Sequence, residues 1–167
     1  RFPFEDRSPR AGDTAEVCVV DLETGALRAI VTTTAWGSQL GAQVQWGATD
    51  SQLFFNTMGP DWKPNGVIYD ISADSTRQLS GAVYHVSPCG RRIISPCLLR
   101  MGKTQLGYGV TVPDSALPEE PGDSAENGIT ITDISTGSSR LLISTQSLVE
   151  KISYLQTAKF SGGDFYM

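Results

Sequence analysis

His85 is the single histidine of the chain, and it stands in "VYHVSPCGRRIIS" between Val83 and Ser95. An imidazole is the natural candidate for a general base or a metal ligand, so His85 is the one weak catalytic candidate here. Its potential helpers are few. Cys18, Cys89 and Cys97 form no C-x-x-C pair, and one histidine cannot complete a zinc site with them at the usual spacings. They read as three reduced, mostly buried thiols, with a Cys89–Cys97 bridge as the alternative in a secreted chain. Glu119, Glu120, Asp123 and Glu126 make an acidic stretch. It lacks the alternating oxygen ligands and the sharp glycine turn of a calcium loop, and reads as a solvated loop. There is no phosphate-binding glycine loop, no G-x-S-x-G and no Ser-His-Asp arrangement. No metal site and no cofactor is evident.

Side chains suited to binding are more numerous. Trp36, Trp46 and Trp62 could stack on sugar rings. Trp46 is expected in the core, because its strand position points inward. Trp62 lies in the loop "MGPDWKPNG" and is the better surface candidate. Tyr108 sits in "GYG" between two flexible residues, as a ligand-contacting aromatic or a loop anchor. Gln39, Gln43 and Gln45 precede or join a strand and offer polar contacts, or solvate its outer side. The ligand-binding candidates are thus Trp62, Tyr108 and Gln43.

The elements that must position these residues are repeated. "VCVVDLETGALRAI" at 17–30, "GVIYDISADSTRQL" at 66–79 and "GITITDISTGSSRLLI" at 128–143 share one order: a β-rich run, Asp, an apolar residue, a polar turn, Arg, an apolar strand. Arg28, Arg77 and Arg140 each follow Asp21, Asp70 and Asp133 by seven residues. Val, Ile and Tyr favour the pleated strand, and "ETG", "SAD" and "STG" supply turn residues. Each Asp is expected to accept bonds from turn amides, not to do chemistry. A second cassette aligns "VQWGATDSQLFFN" at 44–56 with the stretch around His85. Trp46 corresponds to Val86 and Leu53 to Ile93, seven residues apart in both copies. The turn "SPCG" has Pro to preset φ and Gly to supply the unusual backbone angle.

Joined, the cassettes give a four-strand unit of about 40–50 residues, the signature of a β-propeller blade. The expected fold is all-β: a partial β-propeller of about two and a half four-stranded antiparallel blades. An N-terminal segment (1–16) precedes a partial blade (17–41), a blade (42–81) and a blade (82–146) whose insertion at 98–127 reads as a loop, not as hidden strands. In the C-terminal segment (147–167), "TQSLVEKI" can form a short helix with Leu148, Val149 and Ile152 on one side, and "SYLQTAKFSGGDFYM" fits the repeat poorly. Open propeller edges pair readily, so a fragment is expected, its edges covered by the remaining blades of a longer chain or by another copy.

The totals agree with a soluble domain. At 167 residues the chain can bury a real core. A net charge of −5, with scattered Lys and Arg, argues against nucleic acid as the main partner. No run approaches a membrane span and no signal peptide opens the chain. Its first residue is Arg1, not Met, so the natural start is expected to be missing and the compartment stays open.

"QWGATDSQLFFN", "VSPCGRRIIS" and the three Asp-turn cassettes resemble WD40-like propellers of the Tol-Pal type. Cys89 stands where that family has Asp, and "GATD" replaces the other turn altogether. "QLGAQVQWG" with "LFFN", "YHVSPCGRRIIS" with "LLRMGKTQLGYGV", and "NGITITDISTGSSRLLIS" are similar to oligogalacturonate lyase and its uncharacterised bacterial relatives, over about residues 17–150. The resemblance implies two functions. One is a noncatalytic ligand-binding or interaction module for a carbohydrate or a protein. The other is part of a lyase that cleaves oligouronides by β-elimination, with manganese held by His and Gln and a base removing the C5 proton. That site needs several histidines, and this chain has one.

Overall fold

A computed structural model describes residues 7–119 and 124–152. Among these residues ten strands form three antiparallel sheets. β1 (Ala15–Val20) and β2 (Leu27–Thr33) make a hairpin. β3 (Gln45–Trp46), β4 (Gln52–Met58), β5 (Pro64–Asp70) and β6 (Ser75–Gln78) form a four-stranded meander in chain order. β7 (His85–Val86), β8 (Arg92–Ser95), β9 (Gly128–Asp133) and β10 (Ser139–Ser144) form a second meander of the same order. Among the described residues no sheet closes on itself.

The two meanders share one register. Gln45, Phe54, Ile68 and Arg77 lie side by side across the first. His85, Ile94, Ile131 and Arg140 do so across the second. In the hairpin the matching pair is Val19 and Arg28. The row beside it holds Trp46 opposite Leu53 in one meander and Val86 opposite Ile93 in the other, as the aligned cassettes require.

Alternation of side chains puts adjacent rows on opposite faces, and the sheets stack through them. Ala15, Val17, Leu53, Phe55, Val67 and Tyr69 belong to one buried cluster, between the hairpin and the first meander. Phe54, Ile68, Val86, Ile93 and Ile134 belong to another, between the two meanders. The first meander is therefore buried on both faces, which is why β4 and β5 read as near-continuous apolar runs. Burying one Phe contributes about 1.5–3 kcal/mol, so Phe54 and Phe55, both fully buried, anchor the two interfaces.

The turn that recurs in each cassette follows from its aspartate. Asp21 Oδ1 accepts from the amides of Glu23 (3.0 Å) and Thr24 (2.8 Å). Asp70 Oδ1 accepts from Ser72 and Ala73, both at 2.9 Å. Asp133 Oδ1 accepts from Ser135 (2.9 Å) and Thr136 (3.2 Å). Three equal turns hold three hairpins in one register.

Several expectations need correction. Trp46 is not in the core: it is 53% exposed. The sheet on that side is the β1–β2 hairpin, which matches β5–β6 and, among the described residues, has no strands equivalent to β3–β4. None of the cysteines is buried; all are free, and Cys89 is exposed. Among its described residues the 98–127 insertion contains no strand, but it is not all loop. Leu98–Thr104 forms a helix, α1, that buries Leu98 and Met101, and Asp114–Ala116 forms a 3-10 turn. Leu, Arg, Met and Lys are good helix formers, and the buried pair at i, i+3 gives the short helix its tertiary support. A second helix, α2 (Thr145–Lys151), starts at Ser144, whose side chain accepts from the Ser147 amide at 3.0 Å. Ile152 beyond it is 42% exposed. Glu120, Asp123 and the closing "SYLQTAKFSGGDFYM" lie outside the described residues.

Candidate functional site

The Asp turns and the "SPCG" turn lie at one end of the sheets. The connections between sheets gather at the other. There, residues 34–44, 79–84 and 96–112 pack together around buried Ala35, Leu98, Met101 and Val110. Met58, Ala82, Tyr84, Leu99, Tyr108 and Val112 cover that small core. Backbone bonds fasten the insertion down: Gln39 N–H donates to Gly107 O (3.0 Å), and Thr111 N–H to Trp36 O (3.3 Å).

Glycine makes the close approach possible. A Cβ at Gly109 would meet Leu98 O at 2.0 Å, and one at Gly37 would meet Gly109 O at 2.2 Å. Gly107 and Gly109 are buried, so "GYG" is a close-packed backbone crossing and not a flexible hinge. Tyr108 is held between them, half-buried on the small core.

A chain of side-chain bonds joins two of the predicted residues. Gln43 Nε2 donates to Tyr108 O (3.4 Å). Gln45 Nε2 donates to Gln43 O (3.2 Å) and to Tyr84 O (3.1 Å), and Gln45 Oε1 accepts from Val86 N–H (2.8 Å). Gln43 itself is in the left-handed region at φ 58°, a conformation in which a non-glycine residue is uncommon. Sequence reading placed Gln43 just before a strand and Tyr108 in the 98–127 insertion, 65 residues apart; the fold brings them together. It did not single out Tyr84, whose only signal was an aromatic just before the histidine. It also passed over Asn56, fully buried, whose amide clasps Val83 N–H (2.8 Å) and Val83 O (2.7 Å).

The other candidates stand apart. Trp62 is at the same end, half-buried in the turn at 59–63 with φ 57°, and no hydrogen bond ties it to Gln43 or Tyr108. Trp36 is fully buried and its indole N–H donates to Asp13 O (2.8 Å), which removes it as a stacking surface. His85 is exposed at the start of β7, with Ile94 opposite. Among the described residues no group of three or more His, Cys, Asp or Glu side chains could hold a metal ion. His85 beside Ile94 and Ile131 does not fit the His-rich manganese site that the resemblance implies.

Two groups lie far from their ordinary pKa values: Cys89, in the "SPCG" turn at the opposite end, and Asp13, whose carbonyl accepts from the Trp36 indole at this end. The Ser87 hydroxyl (3.4 Å from the sulfur) and then Arg91 stabilise the Cys89 thiolate and lower its pKa to about 7. The Arg7 guanidinium, bonded to both carboxylate oxygens, and then the Arg10 amide hold Asp13 at about 2. No imidazole or carboxylate bonds to Cys89, so it gains reactivity without the partners of a catalytic nucleophile.

The sequence matches no protein-family model, and no curated protein matches it. No helix of the described residues is long and apolar enough to cross a membrane.

Proposed function

We propose that the chain is part of a β-propeller and acts as a binding module for a carbohydrate, through the end where Gln43, Tyr84 and Tyr108 meet. The single observation that carries this reading is the bond from the Gln43 amide to the Tyr108 carbonyl, which joins the segment before β3 to the insertion. Gln43 Oε1 and the Tyr108 hydroxyl have no hydrogen-bond partner among the described residues. An amide and tyrosines on a rigid platform suit a polyhydroxylated ligand. The propeller reading is supported by two meanders of equal register, stacked face to face with a third hairpin in the same series. The WD40-like, oligogalacturonate lyase-like resemblance points the same way.

The oligouronide lyase remains the alternative by resemblance alone, since His85 has neither a second histidine nor a carboxylate beside it. Titration calorimetry with short oligogalacturonides and with neutral oligosaccharides tests the reading. Saturable binding that Tyr108→Ala or Gln43→Ala weakens at least tenfold is expected. Binding unaffected by both substitutions, or binding only of protein ligands, would overturn it.

A further inference from the structure

The apolar residue that follows each cassette aspartate behaves as a plug. Ile134, after Asp133, is 7% exposed and belongs to the cluster with Phe54, Ile68 and Leu79 of the preceding sheet. Its carbonyl accepts a bond from the Arg77 guanidinium of that sheet. Ile71, after Asp70, packs against the cluster under the β1–β2 hairpin. There Arg28 lies 5.6 Å from the Tyr69 ring centroid and donates to its hydroxyl. So Arg28 and Arg77 each reach from one sheet to the next, where the plug residue sits.

At the two ends of the stack this series is open. Leu22, after Asp21, is 94% exposed: a plug with no socket. Val20 and Leu27, side by side on the same hairpin, are 49% and 57% exposed. At the other end Arg140, among the described residues, bonds only the carbonyl of Leu141, its chain neighbour, at 3.5 Å. Arg92, Ile131, Asp133, Ser138, Ser139 and Arg140 line a depression of about 220 Å³ there. Ile131 and Arg140 occupy the register positions of Ile68, which shares a buried cluster with Ile134, and of Arg77, which bonds its carbonyl. Ile94, in the same row, is 41% exposed: a socket with no plug.

We propose that these ends join, the Leu22 turn of one copy of this chain seating in the Ile131–Arg140 depression of a second copy. The contact continues an interface the molecule already makes once through Ile134, and Arg140 gains a turn carbonyl as Arg77 does. Because different surfaces meet, the association is head-to-tail and not two-fold symmetric. The inference does not depend on the carbohydrate reading.

Sedimentation of the full chain over a concentration series tests it with Leu22→Asp and Arg140→Glu, both at exposed positions, with circular dichroism to check folding. The unsubstituted chain should form dimers and longer species as concentration rises. Each variant alone should be monomeric, its association weakened at least tenfold. Mixed in equal amounts, the two should form a heterodimer and nothing larger, since one keeps the plug and the other the socket. A chain that stays monomeric at all concentrations would overturn the proposal. So would association of either variant with itself, or a mixture that remains monomeric.

Discussion

The two meanders have the same strand order, register and turn, yet one is covered on both faces and the other on one. Phe54 and Ile94 occupy equivalent positions, as do Gln45 and His85, and Arg77 and Arg140. In the first meander each of these residues is tied to the next sheet: Phe54 is buried, Gln45 bonds β7, and Arg77 bonds the Ile134 carbonyl. In the second, Ile94 and His85 are exposed, and among the described residues Arg140 bonds only its own strand. A residue's role in this stack is therefore set by whether a sheet follows it. His85 illustrates the point: it occupies a site where the homologous side chain clasps a neighbouring sheet.

This comparison can be broken at each pair. The largest effect is expected at the apolar one. Phe54→Ala should destabilise by about 3–5 kcal/mol through lost transfer energy and a cavity, whereas Ile94→Ala should cost under about 1 kcal/mol. Denaturant midpoints of dilute protein measure both, and similar losses would mean that the two faces are equally covered. Gln45→Ala should come next, at about 1–3 kcal/mol, because it strands the Val86 N–H and Tyr84 C=O. His85→Ala, its counterpart, should stay within about 0.5 kcal/mol. A costly His85→Ala would show that His85 already has a partner.

Much of this was legible in the sequence, and the rest was hidden for physical reasons. The seven-residue Asp-to-Arg spacing gave hairpins of correct register, because the turn chemistry of Asp is local. Trp46 was misread because strand alternation gives a residue's face but not whether anything covers it. Tyr108 was placed in a loose loop because glycine in sequence looks the same whether it bends freely or permits close packing. Gln43 and Tyr108 meet only through the tertiary path of the insertion, for which no periodicity gives a signal.

Smaller effects sharpen the local account. Asp133→Ala should lower the denaturant midpoint slightly by releasing two turn amides. Alkylation by iodoacetamide should pick Cys89 before Cys18 and Cys97, and its rate should rise with a midpoint near pH 7, where the thiolate forms. A midpoint near the ordinary thiol value would refute the Ser87 and Arg91 stabilisation. Acid sensitivity is expected to be slight in the weakly acidic range. Asp13 is depressed from 3.8 to about 2, so its contribution is present above its unfolded pKa and lost as pH falls toward 2. Thermal melts across that range should show the decline beginning only below about pH 4.

The central claim is that the first meander lies between two sheets while the second has one open face. Backbone hydrogen exchange on the Arg140→Glu chain, which cannot pair head-to-tail, tests this most directly. The amides of β4 and β5 should exchange slowest, close to the rate of global opening, and those of β8 and β9 measurably faster. Equal protection in the two central pairs, or stronger protection in β8 and β9, would contradict it.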